Sequence, residues 1–269
     1  MENMHNKYLI FFLKALFLTT LFSSDLFAAP NANNTDTVSS QNKIFNLFAI
    51  NLGLNTIRLL GDLPSTQPQF LIYGDDSQIH SGGGLRYTDP GIDLSATFFV
   101  DTNLLHRFIV GAEYIALKGR EIRVISNYVH ITSHHYVDLL DFYLGYHFSL
   151  WQTKFQNAKF YIGPEIMFNS VMQNKRNVDT LYLLFSDKNT GVSIKKDYDF
   201  RIGGRLKTGF EGRLRDNIYI NVGFTLGAYN LLLRDKSKGE LFNAKNSFET
   251  TESIQLFFNY LISFQYRFE

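Results

Sequence analysis

An all-β fold, a transmembrane antiparallel up-and-down β-barrel of eight strands with ten as the alternative, follows from three features of this sequence. The first is the closing stretch IQLFFNYLISFQYRFE, in which Ile254, Leu256, Phe258, Tyr260, Ile262, Phe264, Tyr266 and Phe268 take every second position. Gln255, Asn259, Ser263, Gln265 and Arg267 fall between them. A period of two belongs to a strand. Soluble strands run to about six residues, and a longer apolar stripe needs a second layer packed on it unless its solvent is lipid. The second feature is the spacing of such segments, whose gaps alternate between long and short. The third is composition: 16% aromatic residues with a net charge of +1 would invite aggregation in water, yet suits a lipid-facing surface with interfacial girdles.

The chain opens with an expected export signal, residues 1–28. NKYLIFFLKALFLTTLF sets Lys7 before an apolar run, and SSDLFAAP gives a small-residue exit at Ala28 or Ala29. Lys14 interrupts the run and argues against a membrane anchor. Residues 29–43, including NANNTDTVSSQN, have nothing to bury and read as a flexible periplasmic leader. The absence of cysteine excludes a lipid-modified cysteine, thiol catalysis and a disulfide framework. The near-neutral charge argues against a nucleic-acid partner.

Residues 44–269 are expected to form the barrel. Eight alternating segments span Ile44 to Ile57, Ile92 to Asp101, Arg107 to Leu117, Val137 to Leu150, Lys159 to Ser170, Tyr198 to Leu214, Asn217 to Leu231 and Ser253 to Phe268. The short gaps hold TNLLH, WQTKFQNA and RDN; the four long ones exceed a dozen residues each. Short turns at one end and long loops at the other are the pattern of an outer-membrane barrel. In the fourth segment Leu140, Phe142, Leu144, Tyr146, Phe148 and Leu150 face lipid, and Asp141, Tyr143, Gly145, His147 and Ser149 face inward. The sixth and seventh divide the same way. The first is less regular, because Phe45 and Leu47 point inward unless a bulge resets the register. Two β-like runs around DKNTG, between Thr180 and Phe200, and QFLIYGDD in the first loop read as hairpins that project above the membrane or as an extra spanning pair.

On these residues the sequence resembles the small eight-stranded outer-membrane barrels, the class of OmpX, OmpW, the opacity proteins and the membrane domain of OmpA. The resemblance covers the pattern of the barrel rather than a diagnostic motif. It implies an outer-membrane location in a diderm bacterium, extracellular loops, lipopolysaccharide as neighbour and a monomer. In FNYLISFQYRF, the aromatics Phe264, Tyr266 and Phe268 resemble the signal read by the barrel-assembly machinery, although Glu269 follows them. The sequence ends after the eighth segment, so a cell-wall-binding domain is not expected.

An eight-stranded barrel is only wide enough for its own side chains. The inward charges Asp93, Glu113, Asp141 and Glu165 on segments two to five, Arg201, Arg205, Lys207, Glu211 and Arg213 on segment six and Arg267 on segment eight are therefore expected to pair across the lumen, since an isolated buried charge costs several kcal/mol. A packed polar plug and a narrow conduit for small or apolar solutes both remain open. His147 and Ser149, with Glu165 nearby, resemble the His-x-Ser pair of barrels that deacylate lipid A. However, residues two apart on one strand stand about 7 Å apart, and this pair falls near the short-turn end. His130, His134, His135 and Asp138 cluster in HITSHHYVD, which reads as a solvated loop rather than a metal site. SGGGLR at 81–86 lacks the Lys-Ser/Thr pair and helix of a phosphate loop and reads as a loop tip. No catalytic residue, cofactor or metal is expected. The function expected is that of a non-enzymatic surface protein whose loops serve structural, adhesive or host-facing roles, with a protein ligand outside the cell.

Overall fold

The alternating segments become strands in the computed structural model, which describes residues 47–60, 66–70, 78–82, 85, 87–153, 157–184, 190–196, 198–234, 241–242 and 254–268. The export signal, the leader and the start of the first segment lie outside the described residues. In chain order the strands are β1 (Leu47–Leu59), β2 (Thr66–Phe70), β3 (Gln78–Gly82), β4 (Tyr87–Phe99), β5 (His106–Ser126), β6 (Val129–Gln152), β7 (Lys159–Tyr182), β8 (Thr190–Lys196), β9 (Asp199–Arg215), β10 (Ile218–Leu232) and β11 (Gln255–Phe268). β1, β4, β5, β6, β7, β9, β10 and β11 pair antiparallel in that order. β11 returns to β1 from Phe48 opposite Phe268 to Leu59 opposite Phe257, which closes the ring. Closure lets the strands satisfy their backbone donors and acceptors without water, the condition for crossing lipid with strands. The ring has eight strands and not ten, because β2 and β3 pair with each other and β8 pairs with β7 beyond its contact with β9.

Inward and outward positions alternate as lipid and lumen demand. Leu52, Leu54, Leu144, Ile166, Ile262 and Phe264 are each more than half exposed on the outside, while Asn51, Asn55, Glu165, Asn259 and Ser263 are buried within. Aromatic pairs reinforce the outer belt: Phe48 packs on Phe98 and on Phe268, and Phe160 on Phe210. β1 pairs without a register shift, so no bulge resets it; Leu47 sits half-buried at the rim, and Phe45 lies outside the described residues. Glycines make room for the largest inward rings. Gly111 is opposite Tyr143, and a Cβ there would stand 2.5 Å from the ring. Gly209 is opposite Tyr161 in the same way.

Three strands run well past their expected ends. The expected loop at 118–136 is two strand arms, β5 and β6, paired as far as Ser126 and Val129. β7 continues to Tyr182 and carries β8 on its edge. The apolar alternation fades there for a physical reason: above the lipid an outward side chain no longer has to be apolar, while the hydrogen-bond ladder continues. The histidine segment consequently lies in β6 and not in a loop. Ser81 and Gly82 of the glycine-rich motif belong to β3, not to a loop tip, and Gly83, Gly84 and Arg86 lie outside the described residues.

The turn between β4 and β5 is organised by one carboxylate. The amides of Leu105 and His106 donate to Asp101 at 2.8 and 2.7 Å, and the amide of Leu104 donates to its carbonyl at 3.1 Å. Burial would raise this carboxyl, but the amide donors outweigh burial and hold its pKa below the ordinary value of 3.8. A depressed carboxylate gives its full contribution above its unfolded pKa and loses it as pH falls through the lower folded value. Asp101→Asn is therefore expected to cost about 1 kcal/mol or less at pH 7, and its unfolding midpoint should converge on the wild type only below about pH 4. Equal midpoints from pH 7 downward would remove the turn from this role.

Candidate functional site

The lumen is the candidate site, and its side chains form three layers. In the middle layer Arg205 of β9 bonds through Nε to Glu165 on the neighbouring β7 and through Nη1 to Glu113 on β5 across the interior. Lys207 Nζ lies 3.8 Å from Glu165, and His147 Nε2 lies 2.9 Å from it. Asn55 and Asn259 donate to Glu113 at 2.8 and 3.3 Å. The outlying acids take phenols: Tyr143 donates to Asp93 at 2.7 Å and Tyr229 to Asp141 at 3.0 Å. The guanidinium of Arg205 also lies 4.3 Å over the Tyr143 ring, so one face is covered as well as the edge that bonds the carboxylates.

Toward the short turns the sign reverses. Glu211 receives Arg107 on one oxygen and Arg267 on the other. Arg107 lies 3.9 Å over Tyr161 and Arg267 lies 3.6 Å over Tyr219. Lys159 Nζ closes this end, donating at 3.0 Å to the carbonyls of Asn103 and Leu104 in the turn. Arg213, expected in the lumen, is exposed instead. Its parity is inward, but at that end of β9 the strand has left the interior.

Toward the long loops part of the lumen turns apolar, while Ser133, His135, Asn174 and Arg176 stay buried on its polar side. Ile57, Leu59, Ile115, Leu117, Val137 and Leu139 point inward there, and Leu85, Leu241 and Phe242 from the connections above are buried against them. Phe242 meets the Tyr229 ring edge-on at 5.6 Å, and Tyr229 stacks on Phe257 at 4.3 Å. Arg201 pairs with Asp199 on the same strand, and Lys196 Nζ lies 3.6 Å from that carboxylate. This layer mixes apolar side chains with buried ion pairs and amides, so its interior is not uniformly polar. The signal was present in the sequence, since Ile115 and Leu117 share the parity of Glu113.

The arrangement holds charge and fills space, and His147 and Ser149 are not bonded to one another in it. His147 spends Nε2 on Glu165, its Nδ1 has no partner among the described residues, and its ring stacks on Tyr161 at 5.3 Å. Ser149 is half-buried beside the turn, where its amide donates to the Leu105 carbonyl at 2.8 Å. Among the histidines, His135 is buried in the barrel and bonds Asn174 at 2.8 Å, while His134 and Asp138 face outward. No group of three metal-ligating side chains occurs among the described residues. Phe264, Tyr266 and Phe268 lie on the outer face of β11.

The fold and the filled interior define a small eight-stranded transmembrane β-barrel of the outer-membrane type. No family model matches the chain, and no curated protein sequence does. Among solved structures, Neisserial surface protein A is similar over 82% of this chain and 97% of its own, at 12% identity and a TM-score of 0.41. Ail, the attachment invasion locus protein of Yersinia pestis, is similar over 82% and 98%, at 8% identity and a TM-score of 0.32. The outer membrane protein OprG of Pseudomonas aeruginosa is similar over 83% and 96%, at 14% identity and a TM-score of 0.36. These likenesses concern fold alone.

Proposed function

We propose that the protein is a non-enzymatic outer-membrane surface protein of a diderm bacterium, whose closed barrel anchors projecting strands and loops for a structural, adhesive or host-facing role. The observation that carries this reading is the lumen, crossed by an ion-paired layer around Arg205 and capped by Leu85, Leu241 and Phe242. A narrow channel would require both layers to part, and a lipid A esterase would require a serine beside His147, where none is bonded among the described residues. The arms of β5, β6 and β7 with β8 supply the surface that leaves the membrane, and the edge of β8 that carries no further strand among the described residues is a physical route for adding a partner's strand. Phe264, Tyr266 and Phe268, with Phe48 packed on Phe268, suit recognition by the barrel-assembly machinery during insertion.

The orientation follows from short turns at the periplasmic end. Tags placed near Gly83, His130, Asn189 and Lys238 are expected to be reached by antibody on intact cells, whereas one near Asn217 becomes reachable only after the outer membrane is opened. Labelling at Asn217 alone on intact cells would invert the topology and defeat a loop-borne surface role.

A further inference from the structure

The outward face of the projecting arms carries a row of basic side chains. Register sets Lys118 of β5 beside Tyr136 of β6, Tyr136 beside Lys175 of β7, and Lys175 beside Lys195 of β8. Arg120 and His134 are opposite one another in the next row outward. Lys118, Arg120 and Lys195 are exposed, and Tyr136, His134 and Lys175 are half-buried. Like charges directly opposite on adjacent strands destabilise a sheet. Lys175 and Lys195 hold that relation, and neither pairs with a carboxylate among the described residues.

Two acids of this face are already engaged and the third stands farther out. Asp89 pairs with Lys118, Asp138 bonds Tyr114, and Asp179 stands two rows farther out than Lys175. Phe200, an outward aromatic of the belt, is level with Ser170 of β7. Lys175 follows Ser170 after the bulge at Met172, which places it roughly 10 Å beyond that level at about 3.3 Å per residue on a tilted strand. A basic row at this depth faces headgroups rather than acyl chains or bulk water, where each cation gains from anionic lipid.

We propose that this row binds the phosphorylated headgroup of an outer-leaflet lipid. Lys175 and Lys195 together hold one phosphate, and Arg120 and His134 add donors beside it. Binding would also relieve the repulsion of the lysine pair. The inference rests on the membrane orientation proposed above, and the two fail differently: a protein that does not insert in vesicles defeats the barrel reading, whereas an inserted protein indifferent to headgroup phosphate defeats only the site.

The test uses the protein refolded in neutral detergent and incubated with bisphosphorylated lipid A or with the same glycolipid stripped of phosphate, retention being read by native mass spectrometry. Phosphorylated lipid is expected to be retained on the order of tenfold better than the stripped form, and the doubly substituted Lys175→Glu, Lys195→Glu protein should lose that preference. Arg58→Glu, an exposed change on β1, should keep it. Boiled and unboiled gel mobility confirms that each variant is folded. Equal retention by the double variant, or no preference for phosphate in the wild type, would overturn the site. Binding of soluble dextran sulfate in place of the lipid, at equal or better strength, would make the occupant a soluble polyanion and overturn it as well.

Discussion

Arg205→Glu is expected to destabilise the barrel by about 3–5 kcal/mol, the cost of leaving buried charge without its partner. Arg205 is the one cation bonded to both Glu165 and Glu113 among the described residues, and the substitution would face those carboxylates with a third. Lys207 remains, but 3.8 Å from Glu165 alone. Relief has two routes, loss of fold or entry of water, so urea unfolding in vesicles should shift to lower concentration, and the surviving barrels should conduct. Adding Glu165→Arg restores opposite charges on directly paired positions of β7 and β9 and should recover part of the loss in a double-mutant cycle. An unfolding midpoint equal to that of the wild type, with no conductance, would show that Arg205 is not the centre of the lumen.

Glu211→Gln should be comparably costly, again about 3–5 kcal/mol, for the opposite reason. It removes the carboxylate that both Arg107 and Arg267 bond and leaves two buried guanidiniums near Lys159. The tyrosine faces under Arg107 and Arg267 offset only part of this, since a cation–π contact contributes about 0.5–2 kcal/mol. Combining Arg107→Met with Glu211→Gln removes one of the stranded charges and should raise the urea midpoint again. If the second substitution lowers it further, Arg107 stabilises the barrel by packing rather than by charge.

What could be read from the sequence was direction and, from strand order, Glu165 beside Arg205 with Glu113 or Asp141 across the interior; what could not was depth and the choice between those far partners. In β6, β9, β10 and β11 each outward residue had to satisfy lipid and each inward one the lumen, so a period of two set the faces of Leu144, Leu206, Phe224 and Ile262 without a structure. Parity also points Arg213 inward, yet the side chain is exposed because the strand ends beyond the interior. Arg107 and Lys159 carry the same inward parity as Glu113 and Glu165 but stand at segment starts, where a charge resembles an ordinary strand end. The arms of β5, β6 and β7 were hidden because water, unlike lipid, imposes no alternation on them. Partner choice needs the closed ring: Arg205 meets Glu165 through neighbouring strands, but Glu113 only because β5 curves round to the far wall. Asp141, also within reach of Arg205 by parity alone, takes the Tyr229 hydroxyl.

Single-channel recording of the refolded wild-type protein in planar bilayers tests the filled lumen most directly. With the ion-paired middle layer and the cap of Leu85, Leu241 and Phe242 in place, insertion should leave the current at baseline, and steps should arise with Arg205→Glu. Regular conductance steps from the wild type, persisting under reversed voltage, would contradict a filled lumen and make a hydrated channel the better account.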